Sequence, residues 1–283
     1  MLAQLLLLIS CAASAQDVDN GRLLATVARC ESCHTVDESL PYGGGYPVET
    51  RFGVFYATNL TPGPDGIGSW TLEDFTRALE HGRSPEGKPY YPAFPYTSFT
   101  EMTDHDVADL FAFFQTLPAA AVENRPHELR GLYKGLWKMR LWKLVAFSPR
   151  DFKGGDRGEY LVDAVAHCGE CHTGRGSLGK TRNGRYLAGN DDPPAPAPNI
   201  TPTALDWSQA DWTTFLTSGM DPDGDFVGGE MRRVIKGGTA HLNTSDREAM
   251  ARYLTEVKPR RSRRSSLVDV EPEEDDDADE PWM

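Results

Sequence analysis

Apolar positions fall in two matching series along the chain. In the first half, helical spacing covers Asn20 to Arg29, and a second helix begins near Trp70. A third, amphipathic, runs from Thr103 to Leu117, with Val107, Leu110, Phe111 and Phe114 on one face. In the second half the order repeats: Arg157 to His167, a helix beginning near Trp207, then Ser245 to Val257 with Met250, Tyr253, Leu254 and Val257 turned inward. Thr103-Asp104 and Ser245-Asp246 supply side chains that cap such helices. Between the halves, Leu129 to Phe147 also follows helical spacing. Leu129, Leu132, Tyr133, Leu136, Trp137, Leu141, Leu144 and Val145 alternate there with Arg130, Lys134, Lys138, Arg140 and Lys143. The favoured reading is an inter-domain helix packed on both halves; the other is an amphipathic helix lying on a membrane surface or a partner.

The halves are repeats in sequence as well as in pattern. Asn59-Leu60-Thr61-Pro62 recurs as Asn199-Ile200-Thr201-Pro202, and Trp70 and Phe75 recur as Trp207 and Trp212. Each first helix runs into the same pentapeptide form, Cys30-Glu31-Ser32-Cys33-His34 and Cys168-Gly169-Glu170-Cys171-His172. This is C-x-x-C-H, the attachment pattern for c-type haem. Two residues between the cysteines put both sulfurs on one face of a helical turn, where they add to the two porphyrin vinyl groups. The His that follows ligates iron from the proximal side. By composition, about two chains per thousand would carry even one such pentapeptide by chance. A zinc site would also use Cys and His, and a dithiol redox site would use the cysteines. Neither needs a His locked beside each second Cys. The chain is thus expected to be all-α, each half a small unit wrapped around one covalent haem that supplies much of its apolar core.

In class I c-type domains the second axial ligand is a Met from the loop before the last helix, and Met/His ligation raises the potential. In the first half that Met is Met102, directly before the helix cap; the alternative is a core methionine filling a gap. In the second half Met220, Met231 and Met250 compete. Met250 is on the helix face and Met220 comes early, so Met231, expected in a loop, is favoured. His81, His105, His127, His167 and His241 remain as alternative ligands.

Charge alters little of this. Much of the formal net charge of −13 lies in residues 265–283, which carry nine acids and no base and follow the basic Lys258-Pro259-Arg260-Arg261-Ser262-Arg263-Arg264. Such a stretch has almost nothing to bury and is expected to be disordered. Leu2 to Ala12 is apolar, too short to span a bilayer, and runs into Ala13-Ser14-Ala15: a signal-peptide pattern. Leu8-Ile9-Ser10-Cys11 also has the form of a lipobox, so the second reading is a lipid anchor on Cys11. Either way the chain is expected in the periplasm, where haem c is attached. Export and two haems argue against a nucleic-acid role.

From about Asp19 to Val257 the chain resembles the periplasmic cytochrome c subunits of bacterial membrane dehydrogenases for alcohols, gluconate and aldehydes. It is especially similar to their dihaem relatives paired with molybdenum hydroxylases. The motifs that carry the resemblance are both C-x-x-C-H-T stretches, both Asn-x-Thr-Pro turns, Tyr91-Pro92-Ala93-Phe94-Pro95-Tyr96 with Met102-Thr103-Asp104, Asn124-Arg125-Pro126-His127, and Gly158-Glu159-Tyr160-Leu161-Val162. Some relatives carry Met at the position of Phe94.

The resemblance implies two tandem class I cytochrome c-like domains at 16–122 and 154–258. A leader at 1–15, a linker at 123–153 and a charged tail at 259–283 complete the chain. Two covalent haem c groups are expected on Cys30 and Cys33 and on Cys168 and Cys171, with iron held by His34 and Met102 and by His172 and Met231. It implies one-electron transfer from a periplasmic or membrane dehydrogenase to an oxidase or small soluble carrier, with no catalytic residue of its own. The competing reading is a dihaem oxidoreductase with its own catalytic haem, like a thiosulfate dehydrogenase or a peroxidase, which needs one iron with an open or unusual sixth site.

Overall fold

Helix α1 (Val18–Val27) opens the first half, its N-terminus capped by Asp17, whose carboxylate accepts from the amides of Asp19 and Asn20. It crosses the last helix of that half, α5 (Asp104–Gln115), at Gly21, where a Cβ would lie 2.0 Å from the Asp109 carbonyl oxygen. The second half repeats the crossing. Helix α7 (Arg157–Tyr160) meets α11 (Thr244–Glu256) at Gly158, again with a Cβ position 2.0 Å from a carbonyl oxygen, that of Ala249. Gly158 stands one residue further from its cysteine motif than Gly21 does. A π-helical turn at Leu161–Val165 takes up that residue and keeps the two halves equivalent.

This computed structural model describes residues 16–50, 52–131, 134–150, 152, 154–176, 179–191 and 196–262. The leader with Cys11 and the acidic tail fall outside the described residues. The cysteine motifs form single-turn helices, α2 (Cys30–His34) and α8 (Cys168–His172). Helices α3 (Leu72–His81) and α9 (Gln209–Ser218) each start in a capping box, Thr71 with Asp74 and Ser208 with Asp211. Then come α4 (Tyr96–Phe99) in the first half and α10 (Gly229–Lys236) in the second. One continuous core joins the halves, with Leu24, Leu110 and Phe114 on one side and Leu161, Leu216 and Met250 on the other.

The helical architecture is as expected, and several details differ. The chain is mostly helical but carries a small antiparallel sheet in the order β1-β2-β3, from Pro47–Thr50, Gly53–Tyr56 and Glu128–Leu129. Leu129 therefore belongs to a strand, and α6 (Leu136–Ala146) starts only after Gly135, whose φ of 110° breaks the run. Helix α6 is tied to the first half: Lys143 Nζ donates to the carbonyls of His81 and Gly82, and Phe147 packs edge-on against Tyr96. Its other face is not covered by the second half, since Trp137, Leu141, Leu144 and Val145 are each more than half exposed.

Helix α11 is capped by Asn243, accepting from the Asp246 amide at 2.8 Å, with Ser245 inside the first turn. The second half also holds more of the chain end than expected. Thr201 Oγ1 accepts from the Arg260 amide at 3.1 Å, and Asn199 Nδ2 donates to Arg260 O at 2.8 Å. Among the described residues no helix is long and apolar enough to cross a membrane.

Candidate haem-binding sites

The residue before each cysteine motif, Arg29 and His167, is left-handed at φ 55° and 42°. Beyond each motif a second pair, Tyr42 and Leu187, is left-handed at φ 63° and 57°. These four are the positive-φ residues other than glycine among the described residues, and they are two equivalent pairs. Each costs about 1 kcal/mol and persists where the surroundings enforce it. Here the enforcement is visible: Thr35 Oγ1 accepts from the Tyr42 amide at 2.9 Å and Thr173 Oγ1 from the Leu187 amide at 3.0 Å. The strained pairs turn the chain sharply into the cysteine turn and out of it again.

The proximal histidines are held in the same way. His34 Nδ1 lies 2.6 Å from Thr58 O, and His172 Nδ1 lies 2.8 Å from Pro198 O. A carbonyl only accepts, so each Nδ1 carries the proton and Nε2 keeps a lone pair that could ligate a metal. Burial lowers both imidazole pKa values, favouring the neutral form that ligates.

Both accepting carbonyls immediately precede an Asn-x-Thr-Pro turn. Asn59 Oδ1 accepts from Thr61 N and Thr61 Oγ1 at 2.9 and 2.8 Å, and Asn199 accepts from Thr201 at the same two distances. Each Asn then donates to the segment after the last helix, Asn59 to Ala120 O and Asn199 to Arg260 O. The turn thus ties the orientation of the proximal His to the end of its own half. The sequence motif points to the cysteines and histidines, but nothing in the sequence points to the Thr58 and Pro198 carbonyls, because a backbone acceptor leaves no residue-type signature.

The donor set fits covalent haem better than the two competing uses. Burial pushes the Cys30 and Cys168 thiols up to about 12, against the lowered thiol pKa of a redox dithiol. The four cysteines form no disulfide. Among the described residues, one cluster of metal-ligating side chains converges, His105, Asp106 and Asp109, and it contains no cysteine. Its carboxylates are already engaged: Asn20 Nδ2 donates to both, and Tyr160 donates to Asp106. Arg29 Nη1 and Arg185 Nη1 are buried without a hydrogen-bond partner among the described residues, which suits a bound group bearing carboxylates.

The two expected methionines do not occupy equivalent places. Met102 is buried at 4% exposure directly before Thr103, the N-cap of α5. Its counterpart before Asn243, the N-cap of α11, is Leu242, also 4% exposed. Met231 lies inside α10, not in a loop as expected, and is half-buried against the core. Met250 is fully buried in α11, and Met220 follows α9. His105 is largely exposed, His127 accepts from the Tyr56 amide, and His241 bonds to Lys236 O.

The attachment turns of the two halves abut. His167 Nε2 lies 3.2 Å from Ala28 O, and Phe99 meets the His167 ring edge-on. Arg29 is within electrostatic reach of both Cys33 and Cys171. Glu170, between the cysteines of the second motif, accepts from Thr97 and Ser98 of the first half at 2.7 and 2.9 Å. Glu170, Thr97 and Ser98 border a polar cavity of about 510 Å³ that also takes in Asp163 and Tyr186. Burial raises the Asp163 carboxyl to about 7, and the Tyr186 hydroxyl donates to it.

A family model described as cytochrome c matches residues 18–118. A protein described as "Diheme cytochrome c-type" from Cereibacter sphaeroides is 42% identical over 255 residues, covering 85% of this chain and 86% of that one. The cytochrome c subunit of the quinone alcohol dehydrogenase of Gluconobacter oxydans is 37% identical over 274 residues, covering 86% of this chain and 56% of the subunit. The fructose dehydrogenase cytochrome subunit of Gluconobacter japonicus is 35% identical over 256 residues, covering 85% and 52%. The chain spans about half the length of these two subunits.

Proposed function

The chain belongs to the dihaem c-type cytochromes, and on that footing we propose that it accepts electrons from a dehydrogenase outside the cytoplasm and passes them to an oxidase or a small soluble carrier. It is an electron-transfer protein with covalently bound haem c. Bound haem supplies an iron that takes up and releases one electron at a time. The protein's own part is attachment, orientation and proximity. Cys30 and Cys33 hold one group and Cys168 and Cys171 the other, within units at about 16–122 and 154–258 joined by the 123–153 segment. His34 and His172 ligate from the proximal side, and Met102 and Met231 from the distal side.

The observation that carries this reading is the duplicated proximal arrangement, in which each imidazole has its Nδ1–H fixed on a carbonyl and its Nε2 directed by default to metal. Abutting attachment turns bring the two sites together, as transfer between them requires. Similarity to dehydrogenase cytochrome subunits supports a dehydrogenase as donor. The apolar leader, read as a signal peptide or a Cys11 lipobox, supports the periplasm.

The test is the optical spectrum of exported holoprotein with and without carbon monoxide. Wild type is expected to show the weak near-infrared sulfur-to-iron band for two haems and no carbon monoxide shift. Met102→Leu and Met231→Leu, which nearly conserve volume, should each remove about half of that band. A wild-type haem that binds carbon monoxide would instead mean an open iron and favour a catalytic haem.

A further inference from the structure

Four of the chain's large exposed apolar side chains lie on the single helix α6: Trp137, Leu141, Leu144 and Val145, at 66, 56, 83 and 63% exposure. At roughly 100° per residue they fall within one arc of roughly 100°. That arc lies opposite Lys143, whose Nζ is buried at the C-terminal end of α3 and packs over the Tyr96 ring at 4.2 Å. The inner face is therefore pinned, and the apolar face is held outward. The arc has a base on each edge, Arg140 on one side and Lys138 on the other. Lys138 Nζ lies 5.7 Å from the Trp137 ring centroid.

Charge identifies the occupant. From Leu129 to Phe147 the chain has five bases and no acid, although its formal net charge is −13. An apolar stripe edged by cations is the pattern of a helix lying in the plane of an anionic bilayer, with apolar side chains below the headgroups and bases among them. A protein-docking face is depleted in lysine instead.

We propose that α6 is a membrane-surface anchor that seats the cytochrome on an anionic phospholipid bilayer by way of Trp137, Leu141, Leu144 and Val145. Binding then needs both terms, apolar insertion and headgroup attraction, and falls with salt. No membrane-spanning segment is required for it.

The experiment uses exported full-length holoprotein with Cys11→Ser, so that acylation at that position cannot contribute. The probes are vesicles of phosphatidylcholine alone and of phosphatidylcholine with one-quarter phosphatidylglycerol, separated by sedimentation. Cosedimentation with the phosphatidylglycerol vesicles at low salt is expected. Leu141→Glu with Leu144→Glu should reduce partitioning roughly tenfold or more, and Lys138→Gln with Arg140→Gln should weaken it and flatten its salt dependence. Leu141, Leu144 and Arg140 are exposed and Lys138 is half-buried, so an unaltered haem spectrum in both pairs is the check that the fold is kept. If wild type stays in the supernatant with both vesicle types, or if the glutamate pair binds as wild type does, the proposal is overturned. Capture of a purified dehydrogenase subunit by α6 without vesicle binding would likewise overturn it in favour of a protein dock.

Discussion

Asn59 and Asn199 show what single residues do here. Each uses its oxygen to close a turn and its nitrogen to hold the chain after the last helix, and each follows the carbonyl that holds a proximal His. Replacing Asn59 with Ala strands the Thr61 amide and the Ala120 carbonyl in a buried site. The expected cost is about 2 kcal/mol or more by denaturant unfolding of the holoprotein. The haem that His34 is proposed to ligate should also shift in potential, because the Thr58 carbonyl loses its fixed position. Asp163 makes a prediction about pH. Its carboxyl is raised from 3.8 to about 7, so between those values the folded chain binds a proton that the unfolded chain has released. Stability then falls as pH rises from about 4 to about 7. Asp163→Asn should flatten that slope, read as the change in unfolding midpoint with pH.

At the scale of elements, the sequence pattern reached far in one respect and stopped short in others. Helices α1, α5 and α11 were legible because their apolar faces recur at helical spacing beside recognisable caps. The sheet was not, since β3 is a two-residue strand whose pairing depends on where the linker returns. Helix α6 was read too long, because Leu129 fits a helical stripe and a strand equally well. The cysteine and histidine positions were readable from spacing alone, but the helix crossings that support them were not. A Gly at Gly21 or Gly158 reads as a weak helix position until the partner carbonyl is seen 2.0 Å from its missing Cβ. Gly21→Ala and Gly158→Ala should therefore each destabilise by about 3 kcal/mol, where Ala in a free helix would stabilise. Thermal unfolding with the yield of haem-loaded protein checks this. Equal losses at both sites would mean that the two crossings are equivalent in energy as well as geometry.

On the scale of the whole molecule, the question is whether the halves unfold together. Their shared core continues from one to the other, and polar contacts cross the seam. The Tyr160 hydroxyl donates to Asp106 at 2.5 Å and accepts from the Thr103 amide at 3.3 Å, while Glu170 accepts from Thr97 and Ser98. A hydrogen bond to a charged partner contributes about 1.5–3 kcal/mol, so this seam is a substantial part of what couples two small units. Tyr160→Phe combined with Glu170→Ala removes these contacts and leaves the apolar core and the His167–Ala28 contact. Wild-type holoprotein is expected to unfold in one calorimetric transition with matching van't Hoff and calorimetric enthalpies. The double variant should show two resolved transitions, and electron exchange between the haems, followed after pulsed reduction, should slow as the abutting turns separate. A single transition in the variant would assign the coupling to the apolar core. The polar contacts at Glu170 would then serve to set the register of the two attachment turns, and exchange rates would fall without any loss of cooperative unfolding.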